Sequence, residues 1–373
     1  MSTLNVESIS HPTSGSNVTI NGITPASTNS LGLRNLIING AMQVAQRGTT
    51  FTGLTSPTFV VDRFDLYVTT GTFSSEQSTT APPGFGNSLK IDCTATATLG
   101  TSGIILLRQK FEGLNVQSIK KGTSDAQPIT LSFWVRSNKT GTYISEIYDA
   151  DNTRQVSKSY TINSADTWEH KTLTFPADTT GTLTNDNSQS IIAQFWLAAG
   201  TNYTSGTLNT SWNSITNANR LVGQVNFADS TDNEFYITGV QLEVGSVATP
   251  FEHRSYGDEL ARCQRYYWNL LLERAETNFY IGNATQFSST ACLMVLHPPV
   301  TMRTAPSLDV SDGTGHFSKL AAGSTTAFNT LAISSIISAA SVTAIATVSG
   351  TAGHAAVLRV SNDNSKFAFS AEL

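Results

Sequence analysis

Charge is what this chain has least of. Lys and Arg number 22 and Asp and Glu 27, so charged residues make up 13% of its 373 residues, about half the usual share. The net charge is −5 and there is no basic tail or Lys/Arg stripe. That excludes the phosphate-neutralising surface that nucleic-acid binding needs. Cysteine is nearly absent. Cys93, Cys263 and Cys292 have neither zinc-site spacing nor the even count of a disulfide framework, which suits production in a reducing cytosol. MSTLNVESIS lacks the basic and apolar regions of a signal peptide. The longest uncharged stretch, Leu320 to Leu358, is interrupted by Ser, Thr, Asn, Gly and His. It is a poor membrane helix and reads as strands buried at a domain or subunit interface. The six His are scattered, and HExxH, GxSxG and a Gly-rich phosphate loop ahead of a helix are all missing.

In place of charge there are hydroxyls. Ser and Thr supply about a quarter of the chain, alongside 27 Gly. This composition favours strands and turns over helices and suits a rigid β surface better than a metabolic enzyme. Residues 1–34 alternate in two short pieces, LNVESI and NVTINGIT, each too small to bury a core. They read as an N-terminal arm that pairs with something else. From 35 to 252, ten or so short strands (FVVDRFDLYV, SLKIDCTATAT, PITLSFWVRS, SIIAQFWLAAG, EFYITGVQLEVG and others) are spaced by turn signals such as APPGFGN and SNKTG. That spacing predicts a β-sandwich of the jelly-roll kind. Pro250 ends the last of these strands. SYGDELARC then carries Asp258 and Glu259 at its front and Arg262 at its back, the charge order of a short linking helix. RYYWNLLL, ACLMVLHPPV, SVTAIATV, AAVLRV and KFAFSAEL make a smaller C-terminal β domain over 253–373. The predicted class is all-β: arm, sandwich, short helical linker, C-terminal β domain.

Three places carry a resemblance to known proteins. NLIINGAMQVAQRG with DRFDLY resembles the opening of phage tail-fibre jelly rolls. PITLSFWVRS, WEHKTLTFP and FYITGVQLEVG are similar to the jelly roll of carbohydrate-binding modules, a likeness of fold that does not name a ligand. TPFEHRSYGDELARCQRYYW, HPPVTMRTAPSL and the terminal AEL resemble the C-terminal half of phage tail-fibre and minor virion structural proteins, and MSTLNVESI resembles their virion-attached ends. The resemblance implies a homotrimeric fibre held to the particle by its N-terminal arm, with distal β domains facing the host.

Strand alternation points to candidate site residues. In LSFWVRS, Leu131, Phe133 and Val135 belong to the core, which turns Trp134 and Arg136 outward. In IIAQFWLAAG, Phe195 and its alternates face the core, which leaves Ile192, Gln194 and Trp196 opposite. Trp134, Arg136, Gln194 and Trp196 are therefore expected to share one surface. There the rings could stack on a sugar while Arg and Gln bond its hydroxyls, or they could bury against the next subunit or the C-terminal domain. Asp149 and Asp151, in YDADN, are weak candidates for a structural calcium, as are Asp229, Asp232 and Glu234. They are equally good turn formers. Glu243 reads as solvent-facing or paired with Arg63 or Arg254. RCQRYYWNLL should alternate, with Tyr266 and Trp268 on one face and Tyr267 on the other.

The functional expectation is a phage tail fibre that binds a host-surface glycan, located on the virion after synthesis in the host cytoplasm. Its partners would be its own copies, other virion proteins and the glycan, with no nucleic acid and no membrane insertion. The alternatives are a purely structural virion part (head fibre, adaptor or nozzle piece) and, furthest, a polysaccharide depolymerase using paired carboxylates such as Glu146 and Asp149. No enzyme is expected.

Overall fold

A computed structural model describes residues 34–271, 279–311, 313–361 and 366–373. The expected arm over 1–34 lies outside them apart from its last residue. Antiparallel strands dominate and the helices are short, as an all-β chain requires. The described residues form two compact units that interleave in sequence: 34–42, 52–58 and 66–253 in the first; 43–51, 59–65 and 254–373 in the second.

The first unit is a sandwich of two sheets. The six-stranded sheet runs Thr50–Leu54, Thr72–Ser78, Ser88–Ala95, Glu234–Val244, Ile129–Ser137, Glu169–Phe175 from edge to edge. The seven-stranded sheet runs Asn213–Ser214, Arg154–Ile162, Gly141–Asp149, Gln189–Ala199, Ile104–Glu112, Phe64–Val68, Thr58–Val61. The period of two decides the layers. Leu131, Phe133 and Val135 are fully buried, while Trp134 and Arg136 between them are half-buried. Aromatics span the interior: Phe133 meets Phe195 and Tyr160 edge to face, each at 5.1 Å, and Tyr143 lies 5.8 Å from Phe235. The NLIING segment belongs to this sandwich, because Leu36 N–H donates to Leu242 O (2.8 Å) and Val240 N–H to Gly40 O (2.9 Å). A Cβ on Gly40 would fall 2.1 Å from Val240 O, so only glycine permits this approach.

The second unit holds a seven-stranded sheet, in the order Ser324–Phe328, Phe317–Ala321, Ala355–Val360, Tyr280–Gln286, Ala291–Leu296, Ser341–Thr347, Leu331–Ser338. A three-stranded sheet of Tyr267–Asn269, Phe367–Ser370 and Ser307–Val310 accompanies it. Met294, Phe317, Leu358, Phe367 and Phe369 sit in one core. The uncharged Leu320–Leu358 stretch alternates within the chain: Val342, Ala344 and Ala346 are buried, while Thr343 and Ile345 are half-exposed. The expected helix is Tyr256–Gln264. The Ser255 side chain accepts from Asp258 N–H, Asp258 and Glu259 lie in the first turn and Arg262 in the last.

The strand expected from RYYWNLLL shrinks to Tyr267–Asn269, since the helix claims the chain through Gln264. Its aromatics do not alternate either. Tyr266 and Tyr267 are both buried because arginines cover them, Arg63 at 3.4 Å from the Tyr266 ring centre and Arg47 at 3.5 Å from that of Tyr267. Trp268 stacks on Phe369 at 5.3 Å. Glu372 in the terminal AEL accepts from Arg47 (3.1 Å) and from Arg63. The three cysteines are buried and free.

Candidate functional site

The outer face of the six-stranded sheet gathers rings and charges from five pieces of chain. Antiparallel register sets Tyr236 beside Arg136, with Lys90 on its other flank, and sets Trp134 between Thr238 and His170. Residues directly opposite in register share a face. Lys90 and Arg136 therefore both approach the Tyr236 ring, at 5.6 and 4.9 Å. Trp168 meets Tyr236 edge to face at 6.2 Å, and His170 lies 5.2 Å from Trp134. A bulge after Thr238 places Gly239 at φ +61. A Cβ there would come 2.7 Å from the Phe85 ring and 3.1 Å from that of Trp134, so the glycine lets these rings close over the strand. Phe85 in turn contacts Phe251 (5.1 Å) and His253 (5.2 Å). Trp134, Trp168, Phe85 and Phe251 are each half-exposed, and His170 and His253 are exposed.

Fixed charges edge this aromatic strip. Lys90 Nζ holds Glu234 Oε1 at 2.9 Å and Asp92 Oδ1 at 3.0 Å. Burial pulls the Lys90 ammonium down, but its bonds to Glu234 and Asp92 outweigh it and leave its pKa above the ordinary lysine value. Arg136 is aimed by Asp166, donating from Nε to its carbonyl (2.9 Å) and from Nη2 to its carboxylate (3.0 Å). Desolvation lowers the pKa of His170, which favours the neutral imidazole at pH 7. Among the described residues Trp134 has a ring contact with His170 but no hydrogen-bond partner, so its indole N–H remains available. The arrangement offers flat apolar faces ringed by oriented donors and acceptors. Such a surface can stack a ring-shaped polyol and bond its edges.

Gln194 and Trp196 do not join Trp134 and Arg136. Their strand lies in the other sheet, and Phe133 and Phe195 touch between the two. The pair therefore points away from the opposite side of the sandwich, and the expected common surface does not form. On that side the register lines up Arg108, Gln194, Glu146 and Ser157, flanked by Leu106, Trp196 and Ile144. The chain's own 200–221 segment covers it. Trp196 is only 1% exposed, packed with Leu221, Tyr203 and Leu208. Arg220 grips Glu146 through Nε (2.9 Å) and Nη2 (2.7 Å). Trp196 is thus a packed floor, sealed by a loop from its own unit.

Asp149, Asp151, Asp229 and Glu234 are occupied by protein partners, while Asp232 is exposed. The Lys121 ammonium sits at 2.6 Å from Asp149 and 3.0 Å from Asp178, where a cation would otherwise stand. Asp151 accepts from Thr184 N–H and from the Thr184 and Ser190 hydroxyls. Asp229 pairs with Lys139, and Glu234 with Lys90. Among the described residues no group of three or more His, Cys, Asp or Glu is arranged to hold a metal. Glu146 and Asp149 point to opposite faces of one strand, so they do not meet as a pair. Glu243 is buried. It accepts from Thr249 N–H (2.8 Å), the Thr249 hydroxyl (2.7 Å) and Gln241 (3.0 Å) instead of facing solvent or an arginine.

No protein-family model matches the chain, and no curated protein matches it. Solved structures do resemble it. A tailspike protein 4 enzymatically active domain from Bacteriophage CBA120 aligns at 14% identity and TM-score 0.29, covering 56% of this chain and 21% of that one. This chain thus spans about a fifth of the tailspike domain. A family 11 carbohydrate-binding module from Clostridium thermocellum, in complex with a mixed-linked tetrasaccharide, aligns at 13% identity and TM-score 0.27, covering 55% and 99%. The TmCBM61 module with β-1,4-galactotriose aligns at 12% identity and TM-score 0.28, covering 57% and 99%. Likeness at this level is one of β architecture and carries no function with it.

Proposed function

We propose that this chain is a phage virion fibre protein that binds a host-surface glycan on the outer face of its six-stranded sheet. The observation that carries the reading is the half-exposed Trp134, Trp168 and Phe85 set beside Tyr236, Arg136 and Lys90 on one flat surface. Aromatic faces match the apolar faces of sugar rings, and the bordering ion pairs fix donors that need no reorganisation on binding. The virion assignment rests on the sequence resemblance at both ends of the chain. In this reading the protein acts as a homotrimer on the particle surface, attached by its N-terminal arm, and performs no catalysis. Three weak sites on one body would gain through effective concentration.

The test is a glycan array probed with the purified chain, with Trp134→Ala and Trp168→Ala as controls. Saturable binding to surface polysaccharides, weakened in both variants, supports the reading. An array without a hit, together with antibody labelling of intact particles, would leave a purely structural virion part. Release of reducing ends from a bound polysaccharide would replace the binding reading with a depolymerase.

A further inference from the structure

The register of the six-stranded sheet draws one charged row across the aromatic strip. Glu76 stands opposite Lys90, Lys90 opposite Tyr236, and Tyr236 opposite Arg136, so these four side chains share the outer face. The next row on that face sets Asp92 opposite Glu234. Trp134 lies two residues before Arg136 on the same strand, about 7 Å along it. Trp168, two residues before the His170 that pairs with Trp134, meets Tyr236 edge to face. A ligand that spans the two indoles therefore passes beside Arg136 and the groups bound to it.

The charges on this row do not balance. Both cations are already held: Lys90 Nζ by Glu234 Oε1 (2.9 Å) and Asp92 Oδ1 (3.0 Å), and Arg136 Nη2 by the Asp166 carboxylate (3.0 Å). Glu76, opposite Lys90, is exposed. Glu76, Asp92, Glu234 and Asp166 thus outnumber Lys90 and Arg136. The acids also stand further out than the bases. Side-chain exposure is 55% for Asp166, 37% for Glu234 and 25% for Asp92, against 21% for Arg136 and 18% for Lys90. Glu234 is tied to the rings as well, since the Tyr236 hydroxyl donates to its Oε2 (3.0 Å). Burial tends to raise the Glu234 carboxyl, but Lys90 and Tyr236 outweigh it and hold its pKa below the ordinary value.

From this layout we infer that the aromatic face takes an uncharged glycan and turns away acidic ones, with Asp166 and Glu234 setting that preference. The inference rests on the glycan-binding reading proposed above and adds the ligand class. A uronate or sulfate group brought to the strip would meet the outer acids before the inner bases, and the bases within its reach already have partners. It would lose hydration without gaining a free counter-ion. The hydroxyls of a neutral sugar instead donate to the exposed carboxylate oxygens, which are strong acceptors, while the indoles stack on its ring faces.

The test is an array of uncharged oligosaccharides, each printed beside its uronate counterpart of the same linkage, probed with the purified full chain. Wild-type hits should be confined to the uncharged members. Their binding should change less than about twofold between about 50 and about 500 mM sodium chloride, since a neutral ligand has no charge to screen. Asp166→Asn removes one acid at a backbone of φ +56, where asparagine is tolerated, and leaves Arg136 its bond to the carbonyl of that residue. It should narrow the gap between uncharged and acidic partners about fivefold, the upper end for one exposed ion pair. Glu234→Gln should act in the same direction. Wild-type hits among acidic members that vanish in Trp134→Ala would keep the aromatic-face reading and overturn this inference. An unchanged gap in Asp166→Asn, or binding that collapses with salt, would overturn it too. An array without any hit removes the aromatic-face reading, and this inference with it.

Discussion

Phe133 and Phe195 meet edge to face inside the sandwich, their ring centroids 5.1 Å apart and their planes at 83°. That contact sets the direction of every neighbour on both strands. Trp134 must leave through one sheet, Gln194 and Trp196 through the other. Two tryptophans that look equivalent in sequence therefore have different fates, one half-exposed among charges and one roofed by the 200–221 segment.

The first prediction separates them. Trp134→Ala should weaken glycan binding by about tenfold, roughly 1.4 kcal/mol, with little change in melting temperature. Trp196→Ala should cost about 3–5 kcal/mol of stability, the usual price of emptying a packed aromatic site. Array binding and thermal melts on the two variants check this. A large stability loss in Trp134→Ala would make that face structural instead.

The second prediction concerns Lys121. It is buried with Asp149 and Asp178, and Arg154 holds Asp178 through Nε at 2.9 Å. Burial alone would raise the pKa of Asp178, but Arg154 and Lys121 outweigh it and hold it below the ordinary value. Lys121→Met should destabilise the sandwich by about 3–5 kcal/mol, because the buried Asp149 loses its cation while Asp178 keeps only Arg154. Millimolar calcium should leave the wild-type melt unchanged. Calcium stabilisation that vanishes in Asp149→Asn would show that the ammonium yields its place to a metal.

Much of the sandwich was legible in the sequence because alternation acts locally: ITLSFWVRS assigns its own inner and outer faces. The linking helix was legible for the same reason, through Ser255, Asp258 and Arg262. Register and sheet membership were not. Whether Trp134 faces His170 or Trp196 depends on which strands pair, and that is settled by contacts between residues far apart in the chain. The partner of Asp149 was hidden likewise, since Lys121 lies 28 residues away; Glu243 is held by Thr249, close in sequence but across a turn that strand alternation does not describe. The segments 43–51 and 59–65 group with the second unit through Arg47, Asp62 and Arg63, and no local pattern marks that.

The third prediction is a pH dependence. Burial pushes the Asp62 carboxyl up to about 6, against the opposing pull of Arg47 and Gln46. A carboxyl whose folded pKa exceeds its unfolded one takes up a proton on folding between the two values. The penalty of burying this charge is therefore full above pH 6 and is relieved as the pH falls toward 4. Asp62→Asn should flatten that part of the stability profile, a change on the order of a few kcal/mol. Glu169 acts with the opposite sign. Burial tends to raise it, but Lys171 and the Ser164 and Asn163 amides hold it at about 2. Its contribution is present above the ordinary glutamate range and is lost as the pH falls toward 2. Denaturant melts from pH 3 to 8 on Asp62→Asn and Glu169→Gln distinguish the two groups.

The fourth prediction concerns assembly. Large apolar side chains stand in solvent on the second unit: Phe287 is 71% exposed, Tyr280 58% and Val295 53%. Val295 pairs with Thr343 across the sheet and Leu293 with Ile345, so the strip continues over two strands. Exposed apolar side chains of this kind mark contact with another molecule, and in the fibre reading proposed above the occupant is a second copy related by symmetry. Light scattering of the full chain should give three times the 39.9 kDa protomer mass. Val295→Asp should lower that mass with little change in the melting temperature of the unit, since the side chain it replaces is more than half exposed. A wild-type chain that scatters as a monomer at every concentration would remove the proposed trimer, and with it the gain in avidity on which the proposed glycan-binding face depends.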